Sequence, residues 1–254
     1  MSAQRLAELI LESQPCVVLT GAGVSTESGI PDFRSPTGLW ARYDPMEYAT
    51  IEAFRRDPAK VWDFYSKRLD ILKDAAPNAA HLALAELERR GLVEAVITQN
   101  VDRLHGLAGS REVIEVHGSI RSSSCPACGH REELERVVQL LRKSERDRLK
   151  PVPRCPNCGA VLKPDVVMFG ELMPERELER ASELVRRAAL LLVVGSSLEV
   201  YPVAGLPEEA LAAGARLAIV NKGPTPYDRR ADLRIDAAAG ETLAAVGDAM
   251  RRLA

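Results

Sequence analysis

Apolar residues fall along this chain in two alternating rhythms. Short continuous runs, "CVVLT" (16–20), "VEAVIT" (93–98), "VIEV" (113–116), "VVMF" (166–169), "ALLLVVG" (189–195) and "RLAIV" (216–220), are rich in β-branched residues and end on Gly, Asn or His. They predict buried strands. Between them, apolar positions recur at helical spacing. Residues 4–12 predict a helix. Residues 46–74, with Phe54, Val61, Phe64, Tyr65 and Leu69 near that period, predict one or two more. "NAAHLALAELERRG" (78–91) predicts a helix capped by Asn78 and stopped at Gly91, and further helices are expected near 174–188, 206–214 and from about 241. Strands without polar alternation, separated by amphipathic helices, imply an α/β fold: a Rossmann-like parallel sheet covered by helices on both faces. Ligands of such sheets sit at the carboxyl ends of the strands, where "GAGVS", "TQNVD", "GSSLE" and "VNKG" begin here.

One stretch breaks the rhythm. Residues 119–165 carry two knuckles of one form, Cys125-Pro-Ala-Cys128-Gly and Cys155-Pro-Asn-Cys158-Gly, around a charged segment expected to be helical, "EELERVVQLLRKSERDRLK". Four thiolates at these spacings make a closed site for one structural Zn²⁺, and the long gap demands an excursion between the knuckles. We therefore divide the chain into a large domain (1–118 and 166–254, with a helical insertion at about 40–76) and a small zinc-binding module (119–165). His130, beside the knuckles, is not needed once four sulfurs are counted. The fifth cysteine, Cys16, lies in an apolar strand.

With 254 residues the chain can bury a full core, and a net charge of −2 gives no electrostatic footprint for nucleic acid or a membrane surface. Its longest apolar run is too short to span a bilayer, and the cysteine usage suits a reducing compartment. A cytoplasmic protein is expected. Candidate chemistry lies in the loops. Gly21 and Gly23 open a partial G-x-G-x-x-G pattern, with Thr26 in the third place; with Ala22 they would let backbone N–H groups approach a pyrophosphate, and Ser25 adds a hydroxyl. Gly195, Ser196 and Ser197 repeat this after a second strand, and Asn221 can hold a ribose or adenine edge. Asn100, Asp102 and His117 form a further set, with His117 placed as a base facing a cleft. His81 and His105 are assigned structural roles.

In this order, "GAGVSTESGIPDFRS", "TQNVDRLH", "VHGS", the two C-x-x-C knuckles, "VVMFGE", "GSSLEV" and "IVN" resemble the sirtuin family of NAD-dependent protein deacylases, over about residues 15–245. The resemblance implies that Ala22, Gly23, Ser25, Asp32, Phe33 and Arg34 form a loop over NAD. It places Gln99, Asn100 and Asp102 at the nicotinamide and ribose, and Gly195, Ser196, Ser197, Asn221 and Ala239 at the remaining phosphate, ribose and adenine groups. His117 becomes the general base. Nicotinamide leaves the ribose as the acyl oxygen of a modified lysine bonds to the anomeric carbon; the products are lysine, nicotinamide and O-acyl-ADP-ribose. The acylated lysine would arrive on an extended peptide between "VVMFGE" and "SLEVY", against Val167, Phe169 and Gly170. Ala49, Tyr65 and Arg68 match the residues of sirtuins that remove succinyl or malonyl groups, whose carboxylate a guanidinium can pair bidentately. Asp32 departs from that subclass, which commonly has Thr there. Two other readings stand beside this one. One is protein ADP-ribosylation. The other is a zinc-ribbon nucleic-acid module on a Rossmann oxidoreductase, against which the missing third glycine and the absent ribose-binding acid weigh.

Overall fold

The computed structural model describes residues 2–146 and 152–253. Six parallel strands make the main sheet: β1 (Cys16–Thr20), β2 (Ala95–Thr98), β3 (Val113–Glu115), then, later in the chain, β7 (Leu190–Val194), β8 (Arg216–Val220) and β9 (Leu233–Ile235). Their spatial order is β3-β2-β1-β7-β8-β9. Counted within this sheet alone, that is the doubly wound order 3-2-1-4-5-6. Every residue of β1, β2 and β7 is buried, because side chains alternate between two covered faces. Val18, Val96 and Leu192 pack beneath α1 (Ser2–Glu12), α5 (Ala79–Arg89) and α10 (Ala239–Leu253) through Leu6, Ile10, Leu84, Leu243 and Val246. Val17, Ile97 and Leu191 face α8 (Glu175–Arg187) and α9 (Leu206–Ala212) through Leu184, Val185 and Leu206. The sheet thus has the predicted architecture. The short edge strand β9 carries no apolar run of its own and escaped the sequence reading.

A second, antiparallel sheet has the order β5-β4-β6, formed by β4 (Gly118–Ser124), β5 (Arg131–Glu133) and β6 (Lys163–Val166). Here two expectations fail. The charged stretch expected to be helical begins as a strand, since Glu132 and Glu133 pair with Ser123 and Ser122; the helix α7 (Leu134–Arg146) starts only after them, and residues 147–150 of that stretch lie outside the described residues. "VVMFGE" is not a strand throughout. β6 stops at Val166, and Phe169 makes an isolated parallel bridge with Thr50.

Three helices fill the segment after the first glycine loop: α2 (Pro45–Tyr48), α3 (Ile51–Arg56) and α4 (Pro58–Asp74), capped by Asp44, Thr50 and Asp57. Their apolar faces join the second sheet. Ile51, Phe54, Trp62 and Phe64 share one core with Ile120, Val137 and Val166, and the Trp62 indole N–H donates to Leu162 O at 2.8 Å. Helix α4 is thereby fixed against the cysteine-bearing unit.

Candidate functional site

β1 and β7 are neighbours from which the chain winds outward in opposite directions, and the loops leaving them meet at this switch point. Their glycines serve that meeting. A Cβ on Gly21 would lie 2.8 Å from Gly195 O, and one on Gly23 2.8 Å from the Gly195 Cα, so the two loops touch backbone to backbone. The Gly21 and Gly23 N–H groups donate to Val194 O (3.1 Å) and Gly195 O (2.8 Å). This corrects the sequence reading, in which those two N–H groups approached a pyrophosphate: the glycines are required by loop-on-loop packing. After Gly21 the chain continues as a short 3-10 helix, Ala22–Ser28, closed by Gly29 at φ +81°.

Ser25, Asn100, Asp102 and two histidines form a buried network behind the switch point. Asn100 Nδ2 donates to Gly21 O (3.1 Å) and to Ser25 Oγ (3.0 Å); Ser25 Oγ in turn donates to Asp102 Oδ2 (2.7 Å). The Ser25 hydroxyl hydrogen, expected to meet a phosphate, therefore belongs to Asp102. His81 Nδ1 accepts from the Asn78 N–H that opens α5, so its Nε2–H faces Ser25 Oγ at 3.5 Å. Thr20 Oγ1 donates to Thr98 Oγ1 and so must accept from His105 Nε2 at 3.0 Å. Burial lowers the pKa of both imidazoles, that of His105 to about 3. Both are structural, as assigned from sequence.

His117 follows β3 and precedes β4. Its Nδ1 lies 3.0 Å from Gln99 O, a carbonyl that can only accept, so Nδ1 carries the proton and Nε2 is left with its lone pair. Burial lowers the His117 pKa, and the Gln99 carbonyl, which favours the cation, only partly opposes it. Gln99 Nε2 donates to Ser196 Oγ at 2.8 Å, tying Gln99, and through it His117, to the β7 loop.

His117, Gln99, Asn100 and Asp102 open into a cavity of about 260 Å³. Of the other sequence-predicted residues, Ala22, Ser25, Phe33, Arg34, Ala49, Tyr65, Arg68, Val167, Phe169 and Gly170 also line it. Gly21, Gly23, Asp32, Gly195, Ser196, Ser197, Asn221 and Ala239 are not among its lining residues. Asp32 Oδ1 accepts from Ser35 N (2.9 Å) and shapes its own loop. Asn221 Nδ2 donates to Lys222 O and Gly223 O, which bends the turn after β8. Ala239 starts α10 inside the core, beside Gly240, whose N–H donates to Glu27 at 2.6 Å. Arg34 pairs with Glu199 at 3.1 Å and links the first loop to the β7 loop.

Sequence reasoning assigned no site role to Trp40, Phe64, Val101, Glu171, Met173 and Tyr201, which are among the other residues of the wall. Tyr201 gave a signal, as an aromatic directly after a strand-end loop; the others reach the cavity only through tertiary packing. At one end Arg68 lies with its guanidinium carbon 5.0 Å from the Phe33 ring and 5.7 Å from the Phe64 ring. Burial pushes the Tyr65 phenol up to about 12, against the pull of Arg68, so it remains a hydrogen-bond donor.

Away from this cavity, the sulfurs of Cys125, Cys128, Cys155 and Cys158 all lie within 4.8 Å of one another, with nearest pairs at 3.4 and 3.6 Å. A tetrahedral zinc with bonds of about 2.3 Å sets its sulfurs roughly 3.8 Å apart, so the donor set fits one structural ion. His130 takes no part: Asn157 donates to its Nδ1, and its Nε2–H donates to Glu132 at 2.8 Å. No described helix is long and apolar enough to cross a membrane.

Comparison with known proteins converges on one family. The Sir2 family model matches residues 21–202. An NAD-dependent protein deacylase of Pyrococcus furiosus is 45% identical over 251 residues, 98% of either chain. A structure described under "Structural Basis for the Mechanism and Regulation of Sir2 Enzymes" is similar with a TM-score of 0.92 at 44% identity, covering 100% of this chain and 99% of that one. A complex described as Sir2, p53 peptide and NAD+ is similar with a TM-score of 0.89 at 40% identity, covering 98% of each.

Proposed function

Because this chain belongs to the Sir2 family, we infer that its cavity brings an acylated lysine to NAD, and that the protein is an NAD-dependent protein deacylase. One observation carries the chemistry: an imidazole with its proton fixed on Nδ1 and its Nε2 lone pair facing a cavity walled by Gln99, Asn100 and Asp102. NAD supplies the reactive bond, since loss of nicotinamide leaves the ribose carbon open to the acyl oxygen. The residues do the rest. Asn100 and Asp102, locked by Ser25, present fixed dipoles to the ribose and nicotinamide end without reorganising. Phe33, against Trp40 at 5.1 Å, screens the site from water. His117 Nε2 accepts a ribose hydroxyl proton; Nδ1–H···O=C from Gln99 orients the ring and eases the positive charge it then bears.

Ala22, Ser25, Phe33 and Arg34 serve as the loop over the dinucleotide, with Gly21, Gly23 and Asp32 holding that loop in shape. Gly195, Ser196, Ser197, Asn221 and Ala239 serve the distal phosphate, ribose and adenine. The acyl-lysine peptide lies extended against Val167, Phe169 and Gly170. Ala49, Tyr65 and Arg68 form the acyl end; Arg68 has ring partners and a buried, uncharged Tyr65 beside it, an arrangement suited to a distal carboxylate as well as to an acetyl group. Cys125, Cys128, Cys155 and Cys158 hold the structural zinc. The division into 1–118 plus 166–254 and 119–165 is supported by the two separate sheets, although the 40–76 insertion shares its core with the smaller one. A cytoplasmic location is consistent with the absence of a spanning helix among the described residues.

The test is a panel of acetyl-, succinyl- and longer acyl-lysine peptides incubated with NAD, with His117→Ala as control. The reading requires nicotinamide and O-acyl-ADP-ribose in equal amounts, and a loss on the order of 10²–10⁴ in the variant. Reduced nicotinamide, or ADP-ribose left on a target protein as the main product, would overturn it.

A further inference from the structure

The wall that receives the peptide is neither strand nor helix, which raises the question of what holds it. Residues 167–171, just past β6, are tied by a few backbone bonds: Val167 N donates to His117 O (2.9 Å), Phe169 N to Ala49 O (2.9 Å), Ile51 N to Phe169 O (3.0 Å) and Glu171 N to Met168 O (3.0 Å). Two side chains add to these. Lys163 Nζ donates to Pro164 O and to Val166 O, both at 2.9 Å, while Glu171 Oε2 accepts from Met168 N at 2.8 Å. The two side chains close the loop with an ion pair of 3.0 Å, at only 16% and 23% exposure. An ammonium has three hydrogens, and here three acceptors surround it.

We propose that Lys163 is a positioning residue for the substrate peptide, acting through Glu171 to fix the cavity wall at Val167–Gly170 in the extended form that a docking strand needs. The proposal rests on the deacylase reading and goes beyond it, because Lys163 does not itself line the cavity and acts only through Val166 and Glu171, which do. Without the ammonium, the Val166 carbonyl loses its side-chain partner and the Glu171 carboxylate stands unpaired in the wall. The segment then has to be ordered by the incoming peptide, which lowers peptide affinity and leaves the NAD side untouched.

Steady-state kinetics of the full-length, zinc-loaded protein test this, varying peptide at saturating NAD and NAD at saturating peptide. Lys163→Met should raise the peptide KM about tenfold, equivalent to about 1.4 kcal/mol, with kcat and the KM for NAD within about twofold. Lys163→Arg, which restores a cation and several donors, should recover most of that loss. Should Lys163→Met fail to fold, Glu171→Gln carries the test: it can still accept from Met168 N but removes the charge, and it should raise the peptide KM several-fold. An unchanged peptide KM, or a parallel loss in kcat and both KM values, would overturn the positioning role. Wild-type turnover that is lost in His117→Ala establishes the deacylase reading separately, so the two failures are distinguishable.

Discussion

Gly195 gives the sharpest measure of how closely the two strand-end loops pack. It sits at φ +61°, and an added Cβ would lie 2.3 Å from Val24 N and 2.5 Å from Gly23 C, both backbone atoms that cannot swing aside. Gly91, just past α5, is the natural control, with φ +71° and nothing within 4 Å of its would-be Cβ. Gly91→Ala should cost only the left-handed strain, about 1–2 kcal/mol, less about 0.4–1 kcal/mol recovered from a stiffer unfolded chain. Gly195→Ala adds the clash, which for forced overpacking is about 1–3 kcal/mol, giving a total of about 1–5 kcal/mol. Against a typical stability of about 5–15 kcal/mol that is a large share. Because Ser196, next in sequence, holds Gln99 and hence His117, the variant should also raise the KM for NAD. Urea unfolding followed by circular dichroism measures both variants on one scale. If Gly195→Ala costs no more than Gly91→Ala, the loops do not pack as described and the explanation for Gly21 and Gly23 falls with them.

Further outcomes can be checked by similar means. Acid should destabilise the protein early: the folded pKa of His105 is about 3 against 6.5 for the free side chain, so its stabilisation is complete above pH 6.5 and is lost as pH falls towards 3, to a total of about 4–5 kcal/mol. His81 and His117 shift the same way, and a flat urea-unfolding free energy between pH 7 and 5 would contradict all three. Metal analysis should find one zinc per chain. A strong chelator, or Cys155→Ser, should melt the small sheet, since structural zinc binding of about 10–16 kcal/mol rivals the whole folding free energy. Arg68→Met should cut desuccinylation about a hundredfold and deacetylation only a few-fold, and equal losses would remove Arg68 from any role at a carboxylate.

What the sequence made legible follows from which signals are local. Strands of uninterrupted apolar residues, such as Leu190–Val194, and a helix with its own cap, such as Ala79–Arg89 behind Asn78, advertise themselves within a few residues. The cysteine knuckles do too. Features set by pairing across the chain were harder. Arg131–Glu133 has charged residues suited to a helix, yet its backbone is claimed by Ser122–Ser124 of β4. "VVMFGE" has a strand's composition, but Glu171 turns back to hold Met168 N, and beyond Val166, which ends β6, only Phe169 finds a strand-like partner, at Thr50. The reason for Gly21 and Gly23 could not be read locally, because their crowding comes from Gly195, more than 170 positions away in the chain.

The same distinction explains why the polar residues at the strand ends were easier to pick out than the bonds they make. Asn100, Asp102 and Ser25 stand out as polar residues at strand ends, and nothing in their spacing says that they spend their hydrogen bonds on one another. In the fold they do: Ser25 Oγ accepts from Asn100, donates to Asp102 and faces the His81 Nε2–H, which exhausts a hydroxyl's capacity. A saturated, buried network of this kind cannot rearrange cheaply when charge develops beside it, because each member would have to abandon a partner in a low-dielectric interior. At His117 the opposite holds. His117 has one nitrogen committed to Gln99 O and lines the cavity, so in the proposed mechanism the proton chemistry is confined to its other nitrogen, against a rigid wall. A site that must form positive charge on a sugar and remove one proton from it needs that division between fixed dipoles and one open base.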